Sequence, residues 1–202
     1  MGSTAYYATQ LGRLATIAAG YPFRGAIDAL PPGPVAAVQM RDMGRDGEID
    51  WPSLARVELP SRRQPELLRP GDVIFTTRGR RNAAMSLRTV PVPAVCSPHF
   101  FVLRVRDPSR LDPRFLAWQL NQRPAREYFR QEATGSHILN ITRAVMETVA
   151  IVTPPMERQR AILALHDLAG AERVALARLI DNRSQQIEAI ALGLQAKGEP
   201  AA

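Results

Sequence analysis

The chain has 202 residues, 46% of them apolar and 22% charged; these values suit one sizeable core with an appendage and exclude a disordered tail. Its net charge of +7 favours polyanionic partners, although a basic surface without a partner fits the same number. A single cysteine, Cys96, excludes a disulfide framework or a paired-cysteine zinc site, and there is neither a signal peptide nor an apolar run of the ~20 residues that span a bilayer, so a soluble cytoplasmic protein is expected.

Leu11 to Ile17 reads as a short strand or extended piece. It runs into the turn Gly20-Tyr21-Pro22-Phe23-Arg24-Gly25, which carries an aromatic and an arginine. After the breaker Pro31-Pro32-Gly33-Pro34, Val35 to Met40 is an apolar strand ending in Arg41-Asp42. Glu48 to Trp51 is read as a further short strand, and Asp72 to Thr77 as a strand rich in β-branched and aromatic residues. That strand empties into Arg78-Gly79-Arg80-Arg81-Asn82. Ala94 to Cys96 and Phe100 to Val105 give two more strands, split by Ser97-Pro98-His99.

Helices follow. One starts near Asp112-Pro113, with proline in the first turn, and a second covers about Pro124 to Gln131. Gly135-Ser136-His137 is a loop, Thr142 caps a short helix to Met146, and Val149 to Val152 is a strand stopped by Pro154-Pro155. The fold class is mixed α/β in a non-repeating order, with a body over residues 1–155.

From Met156 the character changes, with no proline until Pro200. Ile162, Leu165, Ala169, Leu176, Leu179, Ile187, Ile190 and Leu194 recur mostly at steps of three and four, the mark of a helix with one apolar seam. Glu172 and Arg183 interrupt the seam, so it is not a pure zipper. Such a helix is roughly 60 Å long at about 1.5 Å per residue. A small body cannot bury that length, so residues 156–202 are expected to pair with a helix of a second copy or of another protein.

Catalytic constellations are missing. The only lysine is Lys197, which removes a phosphate-binding loop and nuclease designs that set a lysine beside carboxylates. There is no His-Glu-x-x-His pair and no Gly-x-Ser-x-Gly elbow, and His99, His137 and His166 are isolated, as packed or surface histidines usually are. Thr153-Pro154-Pro155-Met156 lacks the polar amide and the aromatic of an amino-methyltransferase box and reads as a strand-to-helix stop. No metal site and no cofactor is expected.

The arginines are more informative, although a GC-rich genome also favours arginine codons. Between Arg78 and Arg88 there are four arginines and no acid, and Gly79 permits a tight or left-handed turn. Arginine can grip phosphate or the guanine edge with two parallel bonds, and Asn82 has the chemistry to pair with adenine. Gly135 to His137, with Asn140 and Thr142, is a second loop carrying groups able to contact phosphates; turn and capping chemistry needs the same residues.

Taken in order, these segments resemble the specificity subunits of type I restriction–modification systems. The likeness runs through most of residues 11–165: Leu11-Gly12 through Gly20 to Gly25, Val38 to Asp42, and Leu68-Arg69-Pro70-Gly71-Asp72 through Gly79. It continues through Leu111 to Leu116, Thr134 to Ser136 and Asn140 to Thr142. It ends in Ile151 to Ile162, where prolines lead through Gln159 into a helix. Arg80-Arg81 stands where the family commonly has a small residue.

The resemblance implies a non-catalytic target-recognition domain that reads a half-site in double-stranded DNA. A separate DNA adenine methyltransferase subunit would use S-adenosylmethionine, and a restriction or translocase subunit is a further candidate partner. Family members usually carry two recognition domains and antiparallel helices; this chain looks like a half-length form, and two copies paired through their helices would read an interrupted palindrome. The expected DNA contacts are Phe23, Arg24, Gln39, Arg41, Arg78, Arg80, Arg81, Asn82, Arg88, Ser136 and His137. A structural adaptor that tethers a partner through its helix, without binding DNA, is the competing expectation.

Overall fold

A computed structural model describes residues 8–23, 25–27, 32–44, 48–59, 65–79, 82–133 and 139–196. Its contacts divide the chain into two units, residues 1–159 and 160–202. In chain order the first contains β1 (Ala8–Gln10), α1 (Leu11–Leu14), β2 (Ala15–Ala19), β3 (Val35–Val38), β4 (Arg56–Val57), β5 (Val73–Thr76), β6 (Arg78–Gly79), β7 (Ala84–Ser86) and β8 (Ala94–Cys96). There follow β9 (Phe100–Val105), α2 (Pro113–Leu120), α3 (Arg123–Glu132), β10 (Leu139–Asn140), α4 (Arg143–Thr148) and β11 (Ala150–Val152). The chain then continues as α5 (Met156–Ala196).

Strand β5 is buried throughout because both of its faces are covered. It lies inside a four-stranded sheet of order β2-β9-β5-β7, all neighbours antiparallel. Alternate side chains on a strand point to opposite faces. Ile74, Phe100 and Val102 therefore face the core shared with Ala36, Val38, Ala94 and Cys96, which come from a three-stranded sheet of order β4-β3-β8. Phe75 points the other way and its ring meets Phe129 of α3 at 5.0 Å. Two small ladders, β1 with β11 and β6 with β10, complete the strand pairing.

Asp72, from the Leu-x-x-Gly-Asp segment, is an internal tie. Its carboxylate is buried and accepts from Arg104 Nε at 2.7 Å and Nη2 at 2.9 Å, and from the Arg69 amide at 2.9 Å. Gly71 makes the turn before it at φ +88°, a conformation that favours glycine. The Asp72 pair and the neighbouring Glu66 raise the Arg104 pKa.

Amide side chains stand in for strand neighbours. Asn121 donates from Nδ2 to the Ala84 carbonyl (2.7 Å) and accepts from the Ala84 amide (3.1 Å), satisfying β7. Gln119 does the same for Val152 of β11, at 2.8 and 3.0 Å. Gln159 is fully buried; its oxygen accepts from the Asp112 amide (2.9 Å), and its nitrogen donates to the carbonyls of Arg110 (2.8 Å) and Pro154 (2.7 Å).

The helix starts match the sequence expectations. Asp112 accepts from the Arg114 amide at 2.8 Å and Thr142 from Val145 at 3.3 Å. Val152 ends a strand and Met156 begins a helix, as the proline stop required. Three strand expectations are corrected. Leu11 to Leu14 is a helical turn whose first amide donates to Val149 at 3.0 Å, and the strand starts only at Ala15. Glu48 to Trp51 makes no strand; Trp51–Ser53 is a 3-10 turn with Pro52, which lacks a ladder donor, in its first turn. Strand β3 stops at Val38, because Gln39 to Asp42 closes on itself: the Gln39 amide donates to Asp42 Oδ2 (2.8 Å) and the Asp42 amide to the Gln39 carbonyl (3.0 Å).

Along α5, Leu165, Leu176, Leu179, Ile187, Ile190 and Leu194 are all more than half exposed. Ile162 and Ala169 of the expected seam are half-buried. Leu168, Val174, Ile180 and Leu192 are exposed as well, so the apolar surface is broader than the single seam read from spacing. No helix among the described residues is long and apolar enough to cross a membrane.

Candidate nucleic-acid interface

Strands β3 and β8 run parallel, with Val38 opposite Cys96. Strand β5 runs antiparallel to β9 and β9 to β2, so Thr76 meets Phe100 and Ala19 meets Phe101. These registers bring the ends of β2, β3, β5 and β8 and the start of β9 to the same side of the sheets. The segments that leave there carry Phe23, Gln39, Arg41, Arg78 and His99.

Backbone bonds gather the segments. The Tyr21 amide donates to the Cys96 carbonyl (2.7 Å) and the Gly20 amide to Phe100 (2.9 Å). A Cβ on Gly20 would collide with the Ser97 carbonyl, so only glycine allows this approach. The Ser97 amide donates to Val38 (2.8 Å), the Thr77 amide to His99 (2.8 Å) and the Ile141 amide to Thr77 (2.9 Å). Strand β6 pairs with β10, setting Arg78 opposite Asn140, with Gly79 at φ +134°.

The result is a cleft of about 500 Å³ lined by residues that include Phe23, Gln39, Arg41, Ser97 and His99. Phe23 packs edge-on to Tyr21, with centroids 5.0 Å apart. Arg41 and His99 are exposed and Gln39 is half-buried. Arg41 Nε lies 3.9 Å from Asp42 Oδ1. Gln39 Nε2 is covered and has no hydrogen-bond partner.

Four of the expected contacts thus lie on three segments that leave the sheets to one side: Phe23, Gln39, Arg41 and Arg78. Two do not belong with them. Asn82 is buried and its Nδ2 donates to the Thr76 carbonyl at 2.7 Å, which ties its side chain to the end of β5. Arg88 lies at the opposite end of that hairpin. Val73 pairs with Ser86, so the register separates Arg78 from Arg88 by roughly 20 Å along the strands. Arg88 instead lines a groove of about 330 Å³ with Trp51, Glu48 and Met85. Arg78 and Arg88 therefore do not share one loop: Arg78 lies in β6, and Arg88 follows β7. Arg24, Arg80, Arg81, Ser136 and His137 lie outside the described residues.

His99 is the residue that sequence reasoning passed over, because isolation in sequence hid its place beside Gln39 and Arg41. Cys96, beneath the cleft, is buried, and burial first and the Asp72 charge second push its thiol pKa well up. Among the described residues no group of His, Cys, Asp and Glu is placed to hold a metal ion.

No protein-family model matches the chain, and no curated protein sequence matches it. Solved structures do. The S subunit of a type I restriction–modification system from M. genitalium is 17% identical, with a TM-score of 0.59, over 96% of this chain and 47% of that one. A chain from a study of complex assembly and conformational transition of a type I restriction–modification system is 21% identical, with a TM-score of 0.66, over 94% and 44%. The HsdS subunit from Thermoanaerobacter tengcongensis is 23% identical, with a TM-score of 0.60, over 88% and 40%. This chain has the fold of these specificity subunits and spans less than half of their length.

Proposed function

We propose that the protein is a sequence-specific DNA-recognition subunit of a type I restriction–modification complex, and that its role is recognition and not catalysis. The observation that carries this reading is the convergence of Phe23, Gln39, Arg41 and Arg78 on one side of the sheets, in a fold shared with specificity subunits. Guanidinium groups there supply the phosphate and guanine contacts, and the amide and aromatic groups line the groove. Arg24, Arg80, Arg81, Ser136 and His137 remain in the proposed contact set through their neighbours in sequence; Asn82 and Arg88 leave it.

The exposed apolar face of α5 pairs with the same face of a second copy. A symmetric pair of such chains reads an interrupted palindrome, since protein two-fold symmetry is mirrored in the site. The methyltransferase subunit, which carries S-adenosylmethionine, docks on this assembly and modifies adenine. The uncovered helix also favours the adaptor reading, in which the protein only tethers a partner.

Binding to duplex DNA, titrated against salt, separates the two. Replacing both Arg41 and Arg78 with alanine weakens binding by about 1–3 kcal/mol if either makes a bidentate base contact, and flattens the salt dependence. Arg88→Ala leaves binding unchanged. An absence of DNA binding even at low salt with the methyltransferase present favours the adaptor.

A further inference from the structure

We propose that Glu172 and Arg183, the two charges that interrupt the apolar seam of α5, are a register lock: each meets the other across two antiparallel copies of the helix. This rests on the pairing of α5 with a second copy proposed above and assigns what sets the direction and register of that pair. Both residues are exposed. Leu165, Ala169, Glu172, Leu176, Leu179 and Arg183 follow one another at alternating steps of four and three, so the two charges stand on the side that faces a partner helix. Neither has an opposite charge beside it on its own helix. The neighbours three and four positions from Glu172 are Leu168, Ala169, Ala175 and Leu176, and those of Arg183 are Leu179, Ile180, Gln186 and Ile187.

A second copy supplies what each charge lacks. Residues that meet across two antiparallel helices advance in opposite directions along the chain. The register that sets Glu172 opposite the partner's Arg183 therefore sets Ala169 opposite the partner's Gln186, Leu176 opposite the partner's Leu179 and Leu165 opposite the partner's Ile190. Two-fold symmetry makes each contact occur twice. The leucines meet apolar side chains, and both charges are matched. Other arrangements lose this. Parallel copies set Glu172 against Glu172 and Arg183 against Arg183. An antiparallel slip of one heptad keeps the seam but sets the two charges against Leu176 and Leu165 in one direction, or against Ile190 and Leu179 in the other. A polar group in an apolar seam fixes register in this way, because a slip leaves an enclosed charge without its partner.

The test is charge exchange in the full-length protein, with dimer dissociation followed by sedimentation. The exchanged residues lie on an exposed helix face, and circular dichroism checks that the helix content is kept. Glu172→Arg and Arg183→Glu each create two like-charge contacts in the dimer and should weaken it by about tenfold or more. The double variant restores opposite charges and should return to within about threefold of the parent. In a parallel pair a single exchange leaves the number of like-charge contacts unchanged, so single variants that dimerise like the parent overturn the proposal. A double variant as weak as the singles also overturns it. Spin labels at Ala191→Cys read the geometry directly, since the native Cys96 is buried. In the proposed register they lie about 40 Å apart along the axis, and one heptad of slip changes this by about 10 Å. A parallel pair brings them within about 20 Å of each other. A parent dimer with either of those other distances removes the register lock and leaves the pairing reading in place. A parent that stays monomeric removes both, and the DNA-recognition reading stands apart from either result.

Discussion

The body and the tail helix treat apolar residues in opposite ways. Among the described residues of the body only Met40 and Leu67 are large apolar side chains counted as exposed, and each only just, at 37%. Ten such side chains are exposed between Leu165 and Leu194. Two sheets that share a core, with helices packed on them, cover nearly all of the described large apolar side chains of the body. A single helix has no such cover, because its side chains meet only their neighbours three and four positions away. The body therefore completes its own core, and the helix carries a surface that asks for a partner.

Changes in the two regions should separate cleanly. The largest effect is expected from Phe75→Ala, which empties a fully buried site against Phe129. Chemical denaturation should show a loss of about 3–5 kcal/mol, and DNA binding should fall with it. A loss below about 1 kcal/mol would show that this core is not close-packed. Next comes the pair Leu176→Asp and Leu179→Asp. Sedimentation should show a dimer of the parent becoming monomer, with the body unfolding at the parent's denaturant midpoint. A variant that stays dimeric places the interface elsewhere.

A smaller effect sharpens the comparison at the start of the helix. Gln159→Leu strips partners from the Asp112 amide and from the carbonyls of Arg110 and Pro154. It should lower stability by about 2 kcal/mol while leaving the sedimentation of the assembly unchanged. The smallest effect is at Cys96. Burial raises its thiol pKa above the ordinary 9.0, so a disulfide-exchange reagent at pH 8 should react only after denaturant unfolds the body. The sign follows from linkage: the folded state suppresses the thiolate, so this group leaves stability intact below the unfolded pKa and lowers it as pH rises past it. Rapid native labelling would mean that the thiol is not enclosed.

Much of the body was legible in the primary structure. Asp112-Pro113 announced a helix start through the proline of its first turn and Thr142 another through its cap, and both signals are local. The run Asp72 to Thr77 announced a strand through its β-branched and aromatic composition, and Val73–Thr76 forms it. Strand β7 was not legible, because Ala84-Met85-Ser86 has no alternation and is held partly by a distant amide, Asn121. The same hidden turn made Arg78 and Arg88 look like parts of one loop. Asn82 looked like a base reader because an amide says nothing about whether its partner is a nucleotide or the Thr76 carbonyl.

Sequence alone determined the mixed fold class, the proline stop before Met156, the apolar seam of the long helix and the likeness to specificity subunits. These rest on periodicity, capping and ordered motifs, all carried by residues close in the chain. Tertiary structure alone decided which polar groups share a cleft. Gln39 and His99 lie far apart in sequence and line one cleft only through strand register and the backbone bonds at Gly20 and Ser97. Register is a property of pairs of strands, and no single stretch of residues encodes it.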